Sequence, residues 1–266
     1  MEKGQGHASA SDGTPIALQV AGHGPAVVLV HSAAADARQW ARLVPLLAER
    51  FTVVTMDRRG RGRSGPIGPG HSLEVEYGDV AAVVASIGGL VHLVGHSSGA
   101  RYALHAALRI PNLASLTLYE PPEPEKVTDL IVESLANLEA VQDREAILWA
   151  FFGDVLGVSH EEFSELKSRP IWPLMYDNAL TLPAELRAAR SYRLDPQMFA
   201  ALAVPAMLLV GELSDPEDLR TTNALHTILP NSHVVTLAGQ GHGAMFSAPL
   251  LLASVLTGFF DSVDGD

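Results

Sequence analysis

At 266 residues, 47% of them hydrophobic and 18% charged, the chain is long and apolar enough to bury a sizeable core without a metal or disulfide staple. Its formal net charge of −12 argues against nucleic acid as a partner, because such binding neutralises phosphates with Lys and Arg. There is no cysteine, which excludes thiol catalysis.

The N-terminal stretch "MEKGQGHASASDGTPIALQV" lacks the continuous apolar segment of a signal peptide. Nowhere does the chain carry the run of about 18 apolar residues that a membrane span requires. A cytoplasmic protein without a membrane partner is expected, as a monomer or a homo-oligomer.

Six short, β-branched runs then alternate with stretches of helical period. Ala26–Val30, Phe51–Met56, Leu90–Val94, Leu113–Tyr119, Pro205–Val210 and Ser232–Leu237 read as strands, apolar enough to be buried on both faces of a parallel sheet. Asp36–Arg50, Leu73–Ile87, Ser98–Arg109, Asp218–Leu229 and Ser247–Phe260 read as helices, with Asp36, Ser72 and Ser247 as N-caps. The alternation predicts an α/β fold with helices on both faces of the sheet. One segment departs from it. Between Tyr119 and the next strand the pattern is helical and rich in large apolar residues, and Pro122–Ala201 reads as an inserted cap. Trp149, Phe151, Phe152, Ile171, Trp172, Leu174, Met175 and Tyr176 are read first as that segment's own core.

Within "LVHLVGHSSGARYALHAALR", Gly95-His96-Ser97-Ser98-Gly99 fits G-x-S-x-G between a strand and a helix. That is the context of a nucleophile elbow: the flanking glycines allow a strained turn, and the serine hydroxyl projects above the strand end. A serine needs a base to remove its proton. Of eleven histidines, His242 follows the last strand in the Gly-rich "LAGQGHGAMF", where an imidazole reaches the sheet edge. His31 and His96 also end strands and read as structural or pocket groups, whereas His7, His71 and His226 read as solvated. Two acids qualify to orient His242. Asp215 follows the strand Pro205–Val210, but "DPEDL" also looks like a capped helix start. Glu120 ends the strand Leu113–Tyr119 before two prolines and has no structural task of its own, so it is favoured. An oxyanion hole would draw its N–H donors from Ser98 and from Ala33 in "VHSAAAD".

Taken together, "VVLVHSAAADARQW", "VVTMDRRGRGRSG", "LVGHSSGA" and "LAGQGHGAM" resemble, in order, the signature of the α/β-hydrolase fold family over essentially the whole chain. The resemblance implies a mostly parallel eight-stranded sheet flanked by helices. The core would comprise residues 1–121 and 202–266, with a helical cap of residues 122–201 inserted after the sixth strand. It also implies a triad of Ser97, His242 and an acid. The family's usual His-Gly is His31-Ser32 here, and its Gly-x-x-Asp acid motif is stretched to Gly211–Asp215. A narrower similarity, carried by "GHSSGA", the Glu after the next strand and "RPIWPLMYDNALTLP", is to zearalenone lactonases. In that group the acid follows the earlier strand and a cap tryptophan, here Trp172, packs on a bulky lactone. Ser32, Trp172, Met175, Tyr176 and Met245 are accordingly the candidate substrate-binding residues.

The expected activity is serine-dependent hydrolysis of a hydrophobic carboxylic ester or lactone, with no cofactor and no metal. Gly60–Gly65 is a formal G-x-G-x-x-G, but it runs into "PIGPG" and opens no helix, so it is not read as a dinucleotide site. Arg58, Arg59, Arg61 and Arg63 read as braces for that loop. A serine nucleophile argues against dehalogenase or epoxide-hydrolase chemistry, which passes through an enzyme carboxylate ester. A ligand-binding module and a C–C-cleaving enzyme are the alternative readings of the same fold.

Overall fold

The computed structural model describes residues 4–122, 127–190 and 192–265. Eight strands form one sheet: β1 (Gly4–Ser9), β2 (Pro15–Gly22), β3 (Ala26–Val30), β4 (Thr52–Met56), β5 (Val91–His96), β6 (Leu113–Tyr119), β7 (Ala206–Gly211) and β8 (Ser232–Leu237). Their order is β1-β2-β4-β3-β5-β6-β7-β8. From β4 to β8 every pairing is parallel, whereas β1 pairs with β2, and β2 with β4, in antiparallel fashion. The six central and C-terminal strands are those read from apolar runs. The N-terminal hairpin was implied only by the resemblance, since "GQGHAS" sits at the sheet edge with most of its residues exposed and carries no apolar run.

The parallel connections carry α1 (Val44–Leu47), α2 (Leu73–Ile87) and α3 (Ser98–Ala107) on the N-terminal side of β6. Ser72 caps α2 by accepting the Val75 N–H, as expected. The predicted helix Asp36–Arg50 is instead a 3₁₀ turn, Ala37–Trp40, capped by Asp36, followed by α1. Pro45 lies in the first turn of α1, where a proline starts a helix but cannot continue one.

Between β6 and β7 lie α4 (Asp129–Ala140), α5 (Arg144–Trp149), a π-helical turn, α6 (His160–Ser168), α7 (Trp172–Asn178) and α8 (Leu182–Ala189). Residues 123–126 of the Pro-rich entry to this segment, and residue 191 beyond α8, fall outside the described residues. After β7 comes α9 (Pro216–Ile228), and after β8 come α10 (Ala244–Ser247) and α11 (Pro249–Asp264). Ser247 is not an N-cap. It closes α10 and donates to Gln240 Oε1 at 2.7 Å, while Pro249 starts α11.

Apolar side chains pack the sheet on both faces, one against α2, α3 and α9, the other against α1 and α11. Each fully buried Val or Leu contributes about 1.5–3 kcal/mol by leaving water. A third cluster belongs to the inserted helices and reaches down to Ala33 and Ala34 at the end of β3. The same helices are fastened to the sheet by buried charge. Arg58 Nη2 lies 2.9 Å from Glu76 of α2 and 3.1 Å from Glu185 of α8, and Arg61 also pairs with Glu185. Arg59 bridges Asp79 and Asp12, and Arg63 donates to Gln5. The four arginines thus brace the loop after β4. His71, read as solvated, is in fact 4% exposed and rests 3.4 Å from Glu76 in this cluster.

Candidate active site

Parallel α/β sheets present their functional loops at the carboxyl ends of the strands, where the strand order reverses. Here β3 lies between β4 and β5 at that switch, and Ser32, Ser97, Glu120 and His242 all follow strand ends on this edge.

Ser97 is the single residue between β5 and α3 and holds φ 54°, ψ −124°. This is a strained backbone for a residue with a side chain. The flanking glycines are required by contact. A Cβ on Gly95 would meet the Gly99 oxygen at 2.4 Å, and one on Gly99 would meet the Val30 and His31 oxygens at 2.5 Å. The start of α3 therefore rests directly on the end of β3, bringing the Ser98 segment against the Ser32–Ala33 loop. Ser98 is the first residue of α3, where N–H groups have no intrahelical acceptor.

The Ser32–Ala33 peptide is also held. Ser32 O accepts from Arg58 Nη1 at 3.1 Å and from His31 Nδ1 at 2.9 Å. In a trans peptide the following N–H points the opposite way, so Ala33 N–H is directed away from Arg58. His31 Nε2 accepts the Arg58 N–H at 3.0 Å, which fixes a neutral tautomer, and burial pushes its pKa well below the ordinary range.

The base candidate is built from three strand ends. His242 Nδ1–H donates to Glu120 Oε2 at 2.5 Å, leaving Nε2 as the proton acceptor. Glu120 is buried, with φ 46°, and its other oxygen accepts Gly211 N–H at 2.7 Å and Ser214 Oγ–H at 2.5 Å. Burial alone would raise its pKa, but the His242 hydrogen bond and charge, with the Gly211 and Ser214 donors, hold it below the ordinary carboxylate value. Burial of His242 works against its charged form, yet Glu120, and behind it the charge of Asp218, raise its pKa. The imidazole remains half exposed, at 50%. Its main chain is pinned on both sides: His96 Nε2–H donates to His242 O at 2.8 Å, and the Tyr119 hydroxyl donates to Gly241 O. The His96 ring lies 4.4 Å from that of His242, and burial keeps His96 neutral by driving its pKa far down.

The end of β7 and the loop after it supply hydrogen-bond donors to Glu120, from Gly211 and Ser214. Asp215 is exposed and caps α9, accepting Glu217 N–H at 2.8 Å, so its side chain is not against His242. Asp218, three residues on, is. One oxygen of Glu120, one of Asp218 and one ring nitrogen of His242 all lie within 4.8 Å of one another. These are the groups here that could approach a cation, but both Glu120 oxygens already accept hydrogen bonds.

Trp172 and Met175 pack in the cluster that includes Ala33 and Ala34, and Ser32 is tied into the same loop through Gln39. One candidate contact is displaced. Met245 is 0% exposed, in the core between sheet and α11, because the α10 turn directs it inward. Tyr176, 41% exposed, lines a cleft of about 720 Å³ with Trp149, His160, Phe163 and Lys167, which contains neither Ser97 nor His242. Its ring lies 6.2 Å from that of Trp172, one helical turn earlier. Gln39, Ser214, Tyr119 and Asp218 were not singled out in the sequence. Gln39, a buried amide beside Trp40, and Asp218, in the first turn of α9, carry only the faint signal of a polar group where packing does not need one.

These features define a hydrolase-type fold, and comparison with known proteins agrees. A sequence profile of the Alpha/beta hydrolase family matches residues 27–255, and the chain belongs to that family. A crystallised alpha/beta hydrolase from Sphaerobacter thermophilus is 34% identical, with 96% of this chain covering 100% of that one at a TM-score of 0.86. A non-heme haloperoxidase of Rhodococcus erythropolis is 40% identical over 50% of this chain and 48% of its own length, so the match spans about half of each. A 2-(acetamidomethylene)succinate hydrolase of Mesorhizobium japonicum is 24% identical over 91% of this chain and 90% of its own length. Among the described residues no helix is long and apolar enough to cross a membrane.

Proposed function

We propose that the protein is a serine hydrolase that cleaves a hydrophobic carboxylic ester or lactone. The observation that carries the reading is the 2.5 Å Glu120–His242 pair, whose histidine main chain is hydrogen-bonded at 2.8 Å to His96, the residue before Ser97 at φ 54°. In this reading His242 Nε2 takes the Ser97 proton as Oγ attacks the substrate carbonyl. The N–H groups of Ala33 and Ser98 receive the oxyanion, and Glu120 balances the imidazolium. His242 then protonates the leaving alkoxide, and water, activated by the same nitrogen, releases the acid from Ser97. No cofactor or metal enters these steps.

The helical segment of residues 122–201 acts as a cap, and Trp172 and Met175, packed beside Ala33 and Ala34, give the acyl side an apolar wall. A hydrophobic substrate of moderate size, including a macrolactone, fits that wall. Relatives described as esterases and hydrolases support hydrolysis without fixing the bond.

A fluorophosphonate probe tests the reading directly. It should label wild-type protein on Ser97 and leave Ser97→Ala unlabelled, with turnover of aryl esters lost in parallel. Absence of a Ser97 adduct would overturn it.

A further inference from the structure

We propose that Asp218 is a second carboxylate serving His242: a positioning residue that shares the imidazolium charge with Glu120 and partly replaces it when Glu120 is neutralised. The proposal rests on His242 being the base assigned above. Its basis is placement. The site gathers acids from two strand ends, Glu120 from the end of β6 and Asp218 from the first turn of α9 after β7, and both come within 4.8 Å of His242.

The position of Asp218 is built. Asp215 caps the helix by accepting Glu217 N–H at 2.8 Å, and Asp218 N–H donates to Asp215 O at 2.9 Å. That turn sets the Asp218 side chain half-buried beside Glu120.

The other titratable groups near His242 carry no charge toward it. His96, from β5, has its ring 4.4 Å away and is kept neutral by burial. Tyr119, from β6, has its ring at 6.4 Å and its hydroxyl pKa pushed up, chiefly by burial and then by Glu120. Asp215 acts on Asp218 rather than on His242. Among the described residues, Glu120 and Asp218 are therefore the charges that answer a proton on the ring.

Their roles divide by contact. Glu120 accepts three donors, which favour its ionised form. Asp218 is pushed up to about 6, first by its own burial and then by the Glu120 charge beside it. Coupled groups of this kind titrate together, so a positive His242 favours the ionised form of Asp218 and is favoured by it. The imidazolium formed during acylation would thus draw on a second charge that is only partly expressed in the resting site.

The test is the titration midpoint of His242, read from its imidazole NMR signals, with kcat/KM against pH on an aryl ester alongside. Asp218→Asn should lower the midpoint by about 0.5–1 pH unit and move the acidic limb of kcat/KM by the same amount. Asp218→Glu should restore both. In Glu120→Gln the added Asp218→Asn change should cost about tenfold more than it costs in wild type, a coupling that distant sites do not show. A merely structural Asp218 would lower kcat equally at all pH values. An unmoved midpoint, or a double variant equal to the product of the singles, overturns the proposal while Ser97 labelling and the triad stand. If Ser97 is not labelled, both readings fall.

Discussion

His96 Nε2–H donates to the main-chain oxygen of His242 at 2.8 Å, so the residue before the candidate nucleophile holds the backbone of the candidate base. The bond is one link in a longer path. Gln39 Nε2–H donates to His96 Nδ1 at 3.2 Å, and Gln39 Oε1 accepts from Ser32 N–H at 3.2 Å and from Ser32 Oγ–H at 2.7 Å. One buried amide therefore joins the loop that would bind the oxyanion to the loop that carries the base.

Replacing Gln39 with Leu strips partners from Ser32 and His96 together. Leaving buried polar groups unpaired costs about 1–3 kcal/mol each, so the melting temperature should fall. In steady-state kinetics kcat should drop about tenfold with KM little changed, because orientation is lost and not substrate contact. A variant with wild-type kcat would show that the path does not position the site.

The backbone at Ser97 offers a separate test. Its φ of 54° costs a residue with a Cβ about 1–3 kcal/mol and costs glycine almost nothing. Ser97→Gly and Ser97→Ala should be equally inactive, but only the glycine variant should melt higher, by about 2–4 °C per kcal/mol recovered. Calorimetry on the three proteins decides it, and equal melting temperatures for the two variants would remove the strain from the account.

Two glycines with opposite surroundings test the packing of α3. Gly99→Ala drives a methyl into the Val30 and His31 carbonyl oxygens at 2.5 Å and should destabilise by about 3 kcal/mol. Gly78, within α2, has open space around its Cβ position, and Gly78→Ala should stabilise by about 0.5–1 kcal/mol. Urea unfolding of the pair measures both signs.

The Glu120–His242 pair gives stability and activity different pH dependence. The raised folded pKa of His242 stabilises fully below its ordinary 6.5, and that contribution fades as pH climbs through the raised value. The lowered pKa of Glu120 stabilises above its ordinary 4.5, and that contribution fades as pH falls through the lowered value. Glu120→Gln should therefore lower the melting temperature most near pH 6 and least near pH 9, a difference of about 2–4 °C. Turnover runs the other way, since a base must be neutral, and should rise as pH climbs through the His242 value.

How much of this was legible follows from what each residue does locally. Ser97 was readable because Gly95 and Gly99 have no room for a side chain, a constraint that survives in a single sequence. Glu120 was readable by default, as an acid with no cap or turn to serve, while Asp215 was the cap its neighbours advertised. The β1–β2 hairpin was not, because an edge strand with an exposed face needs no apolar run. Met245 was misplaced because side-chain direction in a short helix depends on where its first turn docks, a tertiary fact. Asp218 was hidden by its sequence neighbour, since only the fold turns one acid of "DPED" outward and another toward His242.

The buried Arg58–Glu185–Arg61 bridge bears on how the inserted helices move. Peeling α8 from the sheet would take Glu185 from Arg61, while Arg58 keeps Glu76, and unpairing a buried charge costs about 3–5 kcal/mol. α7 is tied down as well, since buried Asn178 donates to Asp36 at 2.9 Å, whereas the ion pairs of α5 and α6, such as Lys167–Glu145, lie at the surface. Any opening of this segment therefore costs least where α5 and α6 meet solvent and most at α7 and α8, where buried polar contacts would have to break.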